Sequence, residues 1–408
     1  MALKNVMVCA AVAVVCLGHE RNACAQDSGD TTFSFSGFGS AGLVHSNYSG
    51  ADFKVDDTVP TGAGRSHNWS ATQMSRLGLQ VDGQLSRQVS MTVQAVSEYN
   101  DEGNYSPDLT LASIRFQMTP SMALQGGRFV LPTYMLTEYS RVGYALPWAR
   151  PPLEMYRSFP SVDGLELITR FDLGSTALTT EVFGGRSSHK ATLQPGMPSE
   201  KFTFSPVVGM NATADVGAST FRVAYIRTRT DMSGSQFDSV ADQYRSEGLT
   251  ALADQYKPSG RNISYTALGY AYDPGDWFLR SEIAKVARVN NSSLLPAFTD
   301  WYVSAGYRFG KFTPYMIYGR EKDDSPTSIG AADSIGAINA ALAAEDASRH
   351  SLSVGVRWDF YENMDLKLQL TRTTRDTGTS NGGLTYISSA SALPHSYNAV
   401  FAGYDVLF

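Results

Sequence analysis

Apolar and polar residues alternate one by one along many short stretches of this chain. Residues 351–360 read SLSVGVRWDF and residues 301–309 read WYVSAGYRF, so that every second side chain is apolar or aromatic. A β-strand points successive side chains to opposite faces, which gives such a segment one apolar face and one polar face. The same period of two recurs at 76–82 and 366–371. The pattern therefore predicts strands that separate an apolar environment from a polar one.

This alternation, bounded by turn residues, predicts sixteen strands. They are expected at 32–44, 72–84, 87–98, 109–118, 122–130, 163–172, 175–184, 202–214, 217–230, 261–273, 276–289, 299–309, 311–321, 349–361, 363–375 and 397–408. The connections alternate between short turns, such as Asp273-Pro-Gly-Asp276, and long loops. An even strand count with this asymmetry predicts an all-β fold, a 16-stranded antiparallel transmembrane β-barrel with short periplasmic turns and long extracellular loops. Sixteen strands enclose more space than side chains can fill, so the lumen is expected to be aqueous.

The last predicted strand reads NAVFAGYDVLF at 398–408. It resembles the C-terminal strand of Gram-negative outer-membrane β-barrel proteins, which ends on Phe after alternating hydrophobic residues. The resemblance implies a lipid-facing set that closes against strand one and is read by the barrel-assembly machinery. That set comprises Phe408, Val406, Tyr404, Ala402 and Val400, whereas Asp405 and Gly403 are expected on the wet side.

The other end of the chain predicts export. Lys4 precedes an apolar run at 6–18, and Ala23-Cys24-Ala25 provides a cleavage site with small residues. The run is too short to cross a bilayer as a helix, which takes about 20 residues. We therefore expect a Sec signal peptide at 1–25 and a single barrel domain at 26–408.

Composition narrows the chemistry. All three cysteines lie within 1–25, so the expected mature chain has no disulfide, thiolate metal site or cysteine nucleophile. The formal net charge is −6 without any basic block, and no nucleic-acid partner is expected. The histidines lack metal-binding or catalytic spacing, and no nucleophile elbow or phosphate-binding glycine loop is present. We expect no enzyme activity, cofactor or metal, although His45 and His67 share the first loop.

The long loop after the fifth strand, at 131–162, concentrates charge and proline. Its charged residues are Glu138, Arg141, Arg150, Glu154 and Arg157. The architecture resembles that of trimeric porins, and the segment Pro147–Tyr156 is similar to one found in porin-like proteins. In that family the third loop folds into the barrel and narrows the pore. The resemblance also implies a homotrimer in the outer membrane, surrounded by lipid and lipopolysaccharide.

Porins present arginines on the wall opposite this loop. The corresponding candidates here are Arg76, Arg115, Arg128 and Arg170, and Asp163 adds an acidic candidate. Opposed charges at a constriction create a transverse field that filters solutes. Alternatively, some of these arginines pair with loop carboxylates and hold the loop in place. Arg227, Arg229, Arg280 and Glu282 are further candidates for the polar wall.

These features predict a water-filled channel for passive diffusion of small hydrophilic solutes. A substrate-specific channel is the first alternative. A barrel with an occluded lumen that acts as a receptor or structural protein is the second, because loops 231–260 and 322–348 have helical character. The acidic total charge favours cations, but the arginines of the expected constriction favour anions, and the local field at the narrowest point is expected to dominate.

Overall fold

The computed structural model describes residues 31–156, 161–192, 194–233, 236–256, 259–288, 297–378, 380–388 and 393–408. The expected signal peptide and Arg157 therefore lie outside the described residues.

Sixteen long strands form one closed antiparallel sheet, as the alternation predicts. They are β1 (Thr32–Ser46), β2 (Arg76–Gln84), β3 (Val89–Glu98), β4 (Asp108–Thr119), β5 (Met122–Val130), β6 (Ser161–Leu173), β7 (Thr176–Ala191), β8 (Glu200–Val216), β9 (Ser219–Ser233), β10 (Arg261–Tyr272), β11 (Trp277–Arg288), β12 (Phe298–Tyr307), β13 (Phe312–Asp323), β14 (Arg349–Tyr361), β15 (Met364–Arg375) and β16 (Ser396–Leu407). Each strand pairs with its neighbours in the chain, and the two-residue strand Trp69–Ser70 adds to the rim beside β1. We call the end with the short turns the turn end and the opposite end the loop end.

The largest difference from the predicted strands is at β7 and β8. The sequence predicts that β7 ends at 184, but the strand continues to Ala191 and pairs His189 with Phe202 and Lys190 with Lys201. These residues extend the hairpin by backbone hydrogen bonds where the apolar alternation has stopped. A period-two pattern could not reveal this extension.

The barrel closes between β1 and β16, with Phe38 opposite Leu407 and Ser46 opposite Ala399. The Phe408 N–H donates to the Gly37 carbonyl at 3.0 Å, and the Gly37 N–H donates to the Phe408 carbonyl at 2.7 Å. Along β16 the side chains at even positions are half-exposed, whereas Asp405 and Gly403 are buried. The expected closure of the last strand against strand one is confirmed.

The outer face of the barrel is an apolar surface. Large side chains at alternate positions are exposed there, among them Leu79, Leu165, Val208, Met316 and Leu368. Aromatic residues form a band near the turn end that includes Phe35, Phe171, Phe221, Trp277, Phe312 and Trp358. An apolar exterior with an aromatic edge is the surface that a barrel presents to lipid.

Three short helices lie in the loops at the loop end. They are α1 (Gln236–Ser246) and α2 (Thr250–Tyr256), between β9 and β10, and α3 (Ala337–Glu345), between β13 and β14. Tyr244, Ile338 and Leu342 are buried where the two loops pack together, and the Tyr244 hydroxyl bonds to the Asp333 carboxylate. None of the described helices has the length and hydropathy needed to cross a membrane.

Candidate functional site

The loop between β5 and β6, which the structure describes over residues 131–156 (L3), folds into the barrel. Its second half is buried, with Trp148 and Tyr156 fully enclosed. These two side chains pack against Tyr302, Tyr315 and other inward-facing residues of the strands β9 to β13. The inward fold expected from the resemblance to porins is therefore what the structure has.

Buried hydrogen bonds fix L3 to this wall. Glu282 of β11 accepts from the Met135 N–H at 2.9 Å and from the Tyr156 hydroxyl, and the Tyr302 hydroxyl also donates to it at 2.8 Å. The Trp148 Nε1 donates to the Ser304 Oγ at 2.7 Å. A buried carboxylate that accepts several hydrogen bonds is satisfied without water.

Two wall cations hold the bend of L3 through its carbonyls. Arg357 of β14 donates to the Tyr144 and Leu146 carbonyls at 2.7 and 3.0 Å. Lys367 of β15 donates to the Gly143 carbonyl at 2.7 Å, and it also pairs with Asp405 of β16 at 2.9 Å. The polar face predicted for β15 and β16 therefore anchors the loop.

The first and last long loops fill the lumen beside L3. Short strands Asp52–Phe53, Ala63–Gly64 and Leu384–Thr385 pair into a small three-stranded sheet. Phe53 and Leu384 form an apolar cluster with Phe401 of β16, and Leu153 of L3 packs against that cluster. The β14 to β1 side of the lumen is thus occupied by protein.

The opposite side stays open to solvent. Inward-facing residues of β11 to β16 are buried, as Ser304 and Lys367 show with 1% exposure each. By contrast, the inward-facing residues Asp82, Arg115 and Gln125 are half-exposed, and Arg170 is exposed. These polar side chains form a solvent-exposed face toward the turn end of β2 to β6, which we call the passage, whereas other inward residues of this wall, such as Phe129, Glu166 and Phe183, are buried.

The segment 138–145 of L3, which we call the L3 tip, borders this passage. Glu138 and Ala145 are exposed, whereas Leu146 and Trp148 are buried. The Glu138 carboxylate pairs with Arg222 of β9 at 2.7 Å. The Arg141 guanidinium lies 2.9 Å from the Glu98 carboxylate of β3, so that the tip is tied to the wall on both sides.

Arg76 lies on the lumen side of β2, as predicted, but it does not face a loop carboxylate. Its partner is Glu98 on the neighbouring strand, at 3.6 Å. Glu98 therefore lies between Arg76 and Arg141 and compensates both of them. Glu98 was not among the residues predicted from the sequence, although it lies opposite Arg76 on the next strand, β3.

Arg150 and Glu154 are not in the passage, which corrects the expectation that they line the constriction. Arg150 is 4% exposed and donates to the Val55 and Tyr156 carbonyls at 3.1 and 2.9 Å. Glu154 is 3% exposed and lies 4.0 Å from Arg349 of β14. Burial lowers the pKa of the Arg150 guanidinium, and the Arg76 cation lowers it further. Both side chains hold the loop, which is the alternative role that the sequence analysis left open.

Arg115 and Arg170 face the passage on β4 and β6. Arg115 is in register with Gln125, which is in register with Glu166, so the three side chains share the lumen face. Neither arginine has an ion-pair partner among the described residues. These two side chains therefore present unpaired positive charge to the passage, which the Glu166 and Glu181 carboxylates near Arg115 offset in part.

Arg128 and Asp163 lie on the outer face, so their assignment to the lumen is wrong. They pair with each other at 2.7 Å, and Asp163 lies two residues from the outward-facing Leu165. The alternation places Phe129 and Val162 inward in an apolar cluster instead. Gly126-Gly127 hides the phase of β5 because glycine has no side chain to mark a face. Arg227 and Arg229 of β9 also face outward, with Tyr225.

A cavity of about 550 Å³ lies at the loop end beside the L3 tip. Its charged lining comprises Asp56, Glu98, Asp101, Glu102, Asp108, Arg141, Lys190 and Lys201. The Glu98–Arg141 pair, where the L3 tip meets the wall, belongs to this lining. Within the described residues, no group of His, Cys, Asp and Glu side chains is arranged to hold a metal ion.

Neither a protein-family model nor a curated protein sequence matches this chain. Solved structures do match its fold. The outer membrane channel DcaP of Acinetobacter baumannii is 13% identical with a TM-score of 0.56, covering 94% of this chain and 99% of DcaP. An anion-selective porin from Comamonas acidovorans is 13% identical with a TM-score of 0.55, covering 93% and 100%. OmpT, an outer membrane protein of Vibrio cholerae solved in its trimer form, is 11% identical with a TM-score of 0.51, covering 93% and 99%.

This chain has the fold of the outer-membrane porins. The match extends over nearly the whole length of both chains in each comparison, which includes the strands, the turns and the loops. At this level of identity, this chain and the matching structures share only the fold. The charged residues of the passage must therefore be interpreted from this chain alone.

Proposed function

We propose that the protein is an outer-membrane channel for passive diffusion of small hydrophilic solutes. One observation carries the proposal: polar residues that point into the barrel along β2 to β6 remain open to solvent, while the other side of the lumen is packed with L3. Solutes would enter through the cavity at the loop end and pass between the L3 tip and the wall. No energy coupling or cofactor is needed for such movement.

The passage is expected to prefer anions. Arg76 and Arg141 share Glu98, and Arg222 contacts Glu138 and Glu181, so these three arginines are balanced by three carboxylates. Arg115 and Arg170 have no ion-pair partner among the described residues, so their charges act on a solute at short range. The comparison with an anion-selective porin agrees with this proposal, although that selectivity belongs to the other protein.

Export, assembly and partners follow from the same proposal. Residues 1–25 would direct the chain through the Sec pathway and be removed, leaving 26–408 as one barrel domain. The Phe408 strand would be read by the barrel-assembly machinery, and lipid and lipopolysaccharide would surround the apolar exterior. A homotrimer is proposed because a matching structure was solved as a trimer.

One observation favours the receptor or structural alternative. The helices α1, α2 and α3 form a packed apolar cluster at the loop end, a structure that simple diffusion does not require. A receptor would bind a ligand through this cluster without passing ions. A substrate-specific channel would instead show saturable transport of one solute class.

Single-channel recording of the purified protein in planar bilayers tests the proposal. We expect stepwise conductance increases in KCl, because polar side chains that point into the barrel are open to solvent beside the L3 tip. Insertion that is confirmed by protease protection but gives no conductance steps would contradict a channel and favour the receptor. Current block by one solute class, saturating with its concentration, would point to substrate specificity.

A further inference from the structure

The hairpin of β7 and β8 extends beyond the rim of its neighbours at the loop end. Strand β6 pairs with β7 only as far as Arg186. Beyond that point β7 pairs with β8 alone, and Ser187 is opposite Phe204. We call residues 187–204, which the structure describes except for residue 193, the extended hairpin. Because its β7 edge has no neighbouring strand, this hairpin can lean away from the line of the barrel wall.

The sheet bends where the extended hairpin begins. The register shifts after Gly185 on β7 and after Phe204 on β8, and bulges of this kind bend a strand. Gly164 of β6 is in register with Gly185, and a side chain on Gly164 would clash with the Gly184 carbonyl oxygen. The two backbones can therefore approach this closely only as glycine, and the bulges and glycines together permit a sharp change of direction.

Contacts at the far end of the extended hairpin give the direction in which it leans. The Thr192 N–H donates to the Thr58 carbonyl of the first loop at 2.8 Å. The Ser199 hydroxyl donates to the Asp101 carboxylate of the β3–β4 loop, also at 2.8 Å. Both partners lie on the far side of β4, β5 and β6. The extended hairpin therefore crosses the loop end of the barrel above these three strands.

This position covers a gap that L3 leaves. L3 connects β5 to β6 but turns into the barrel, so its described residues give these strands no cover at the loop end. The cavity of about 550 Å³ lies between the extended hairpin and the β3–β4 loop. Its lining includes Ser188 and Lys190 of the hairpin, Asp108 at the start of β4 and Arg141 of the L3 tip.

The extended hairpin is fixed from within and from one side. The His189 ring stacks against Phe202 and Phe204, with ring centroids 5.3 and 5.5 Å away. On the other edge of the hairpin, β8 stays paired with β9 as far as Lys201 and Ser233. Backbone pairing on both of its strands and the stacked rings hold the hairpin in one position above the cavity.

We propose that the extended hairpin is a roof over the passage, and that the opening between it and the β3–β4 loop limits the size of solutes that enter from the loop end. This filter is separate from L3, which acts deeper in the barrel. Solutes that enter from the turn end do not meet the roof first, so the size limit for entry differs between the two ends. The inference rests on the proposed channel.

Replacing residues 188–203 by Asn-Gly removes the roof. Ser187 and Phe204 are opposite each other, so a two-residue Asn-Gly turn can close the shortened hairpin. Asp108→Cys reports on the cavity, and Asn104→Cys, at an exposed position of the adjoining loop outside the cavity lining, is the matched control. The rate with a bulky polymer-linked maleimide, relative to a small maleimide, should be several-fold lower for Asp108→Cys than for Asn104→Cys. Shortening the hairpin should remove this difference.

A second variant tests the roof if the shortened hairpin does not fold. Lys190 lies 3.7 Å from Glu102, and Ser199 donates to Asp101 at 2.8 Å. Lys190→Glu/Ser199→Glu keeps the hairpin but places carboxylates beside these two acidic residues. Repulsion between the like charges should raise the relative rate of the bulky reagent at Asp108→Cys, and high salt should diminish the increase.

Planar-bilayer recording in solutions of neutral polymers tests the filter itself. Polymers added at the loop end of the wild type should be excluded at a smaller size than polymers added at the turn end, and the shortened hairpin should raise only the loop-end limit. Equal relative rates at Asp108→Cys and Asn104→Cys with the intact hairpin would overturn the proposal, and so would a loop-end limit that the shortened hairpin leaves unchanged. A protein that shields Asp108→Cys but passes no current would refute the proposed channel, whereas the roof over the cavity would stand.

Discussion

Replacing Arg115 and Arg170 together by glutamine is expected to lower the anion-to-cation permeability ratio about three- to tenfold. At about 6 Å in water, one unit charge changes the energy of a monovalent ion by roughly 0.7 kcal/mol, with opposite signs for anions and cations. One arginine therefore changes the ratio up to about tenfold, and salt screening reduces the effect. The reversal potential across a KCl gradient measures the change and should move toward the cation value.

The outer face supplies a matched control for this experiment. Arg186 of β7 and Arg227 of β9 face outward, in register with Asp163 and Val208, so Arg186→Gln/Arg227→Gln removes two positive charges from the same chain outside the lumen. Its reversal potential should equal that of the wild type. An unchanged reversal potential in Arg115→Gln/Arg170→Gln, or an equal change in both double variants, would show that Arg115 and Arg170 do not set the preference.

Trp148→Ala is expected to release L3 from the wall while the barrel remains intact. The Trp148 ring is fully buried, lies 6.0 Å edge-on from Tyr302, and donates its Nε1 hydrogen to Ser304. Truncation of a buried Trp costs about 3–5 kcal/mol, and here that loss falls on the docking of one loop. Conductance should rise and become noisy, and trypsin should cut after Arg141 or Arg150 in the folded barrel.

Trp301→Ala is the control for the loss of a tryptophan. Trp301 lies on β12 next to Tyr302, but its side chain is on the outer face against Tyr318, with ring centroids 5.5 Å apart. Its removal should leave the conductance and the protection of Arg141 unchanged. If Trp148→Ala behaves like Trp301→Ala, then Trp148 is not needed to hold L3, and its polar contacts with residues such as Glu282, Arg357 and Lys367 are sufficient.

The strands were predictable because a barrel between lipid and water demands alternation at every position. Leu352 and Val354 face outward while Ser351 and Ser353 face inward, as their period requires. Where the strands leave the membrane, alternation is no longer required and the prediction fails. For example, β7 continues past residue 184 by backbone pairing with β8. The phase of β5 was lost at Gly126-Gly127, and this loss placed Arg128 on the wrong side of the wall.

The contacts of L3 were harder to predict than its location. The resemblance to porins implied an inward loop at this charged, proline-rich segment, and the sequence left open which charges line the passage and which hold the loop. Arg150 and Glu154 proved to be buried because the loop turns its second half into an apolar cluster around Trp148. Glu282, Arg357 and Lys367 hold L3 from strands far away in sequence, and only three-dimensional register shows which loop atoms they meet.

Modification of a single introduced cysteine tests the central claim most directly. Gln125 and Leu124 are adjacent on β5, but Gln125 faces the passage and Leu124 is exposed on the outer face. The three native cysteines lie in the segment expected to be removed, so each variant should carry one thiol. The account predicts that a charged, water-soluble thiol reagent lowers the single-channel current of Gln125→Cys in discrete steps and leaves Leu124→Cys unchanged. If mass spectrometry shows that the thiol of Gln125→Cys is modified but the single-channel current is unchanged, then the solute pathway does not run along this wall.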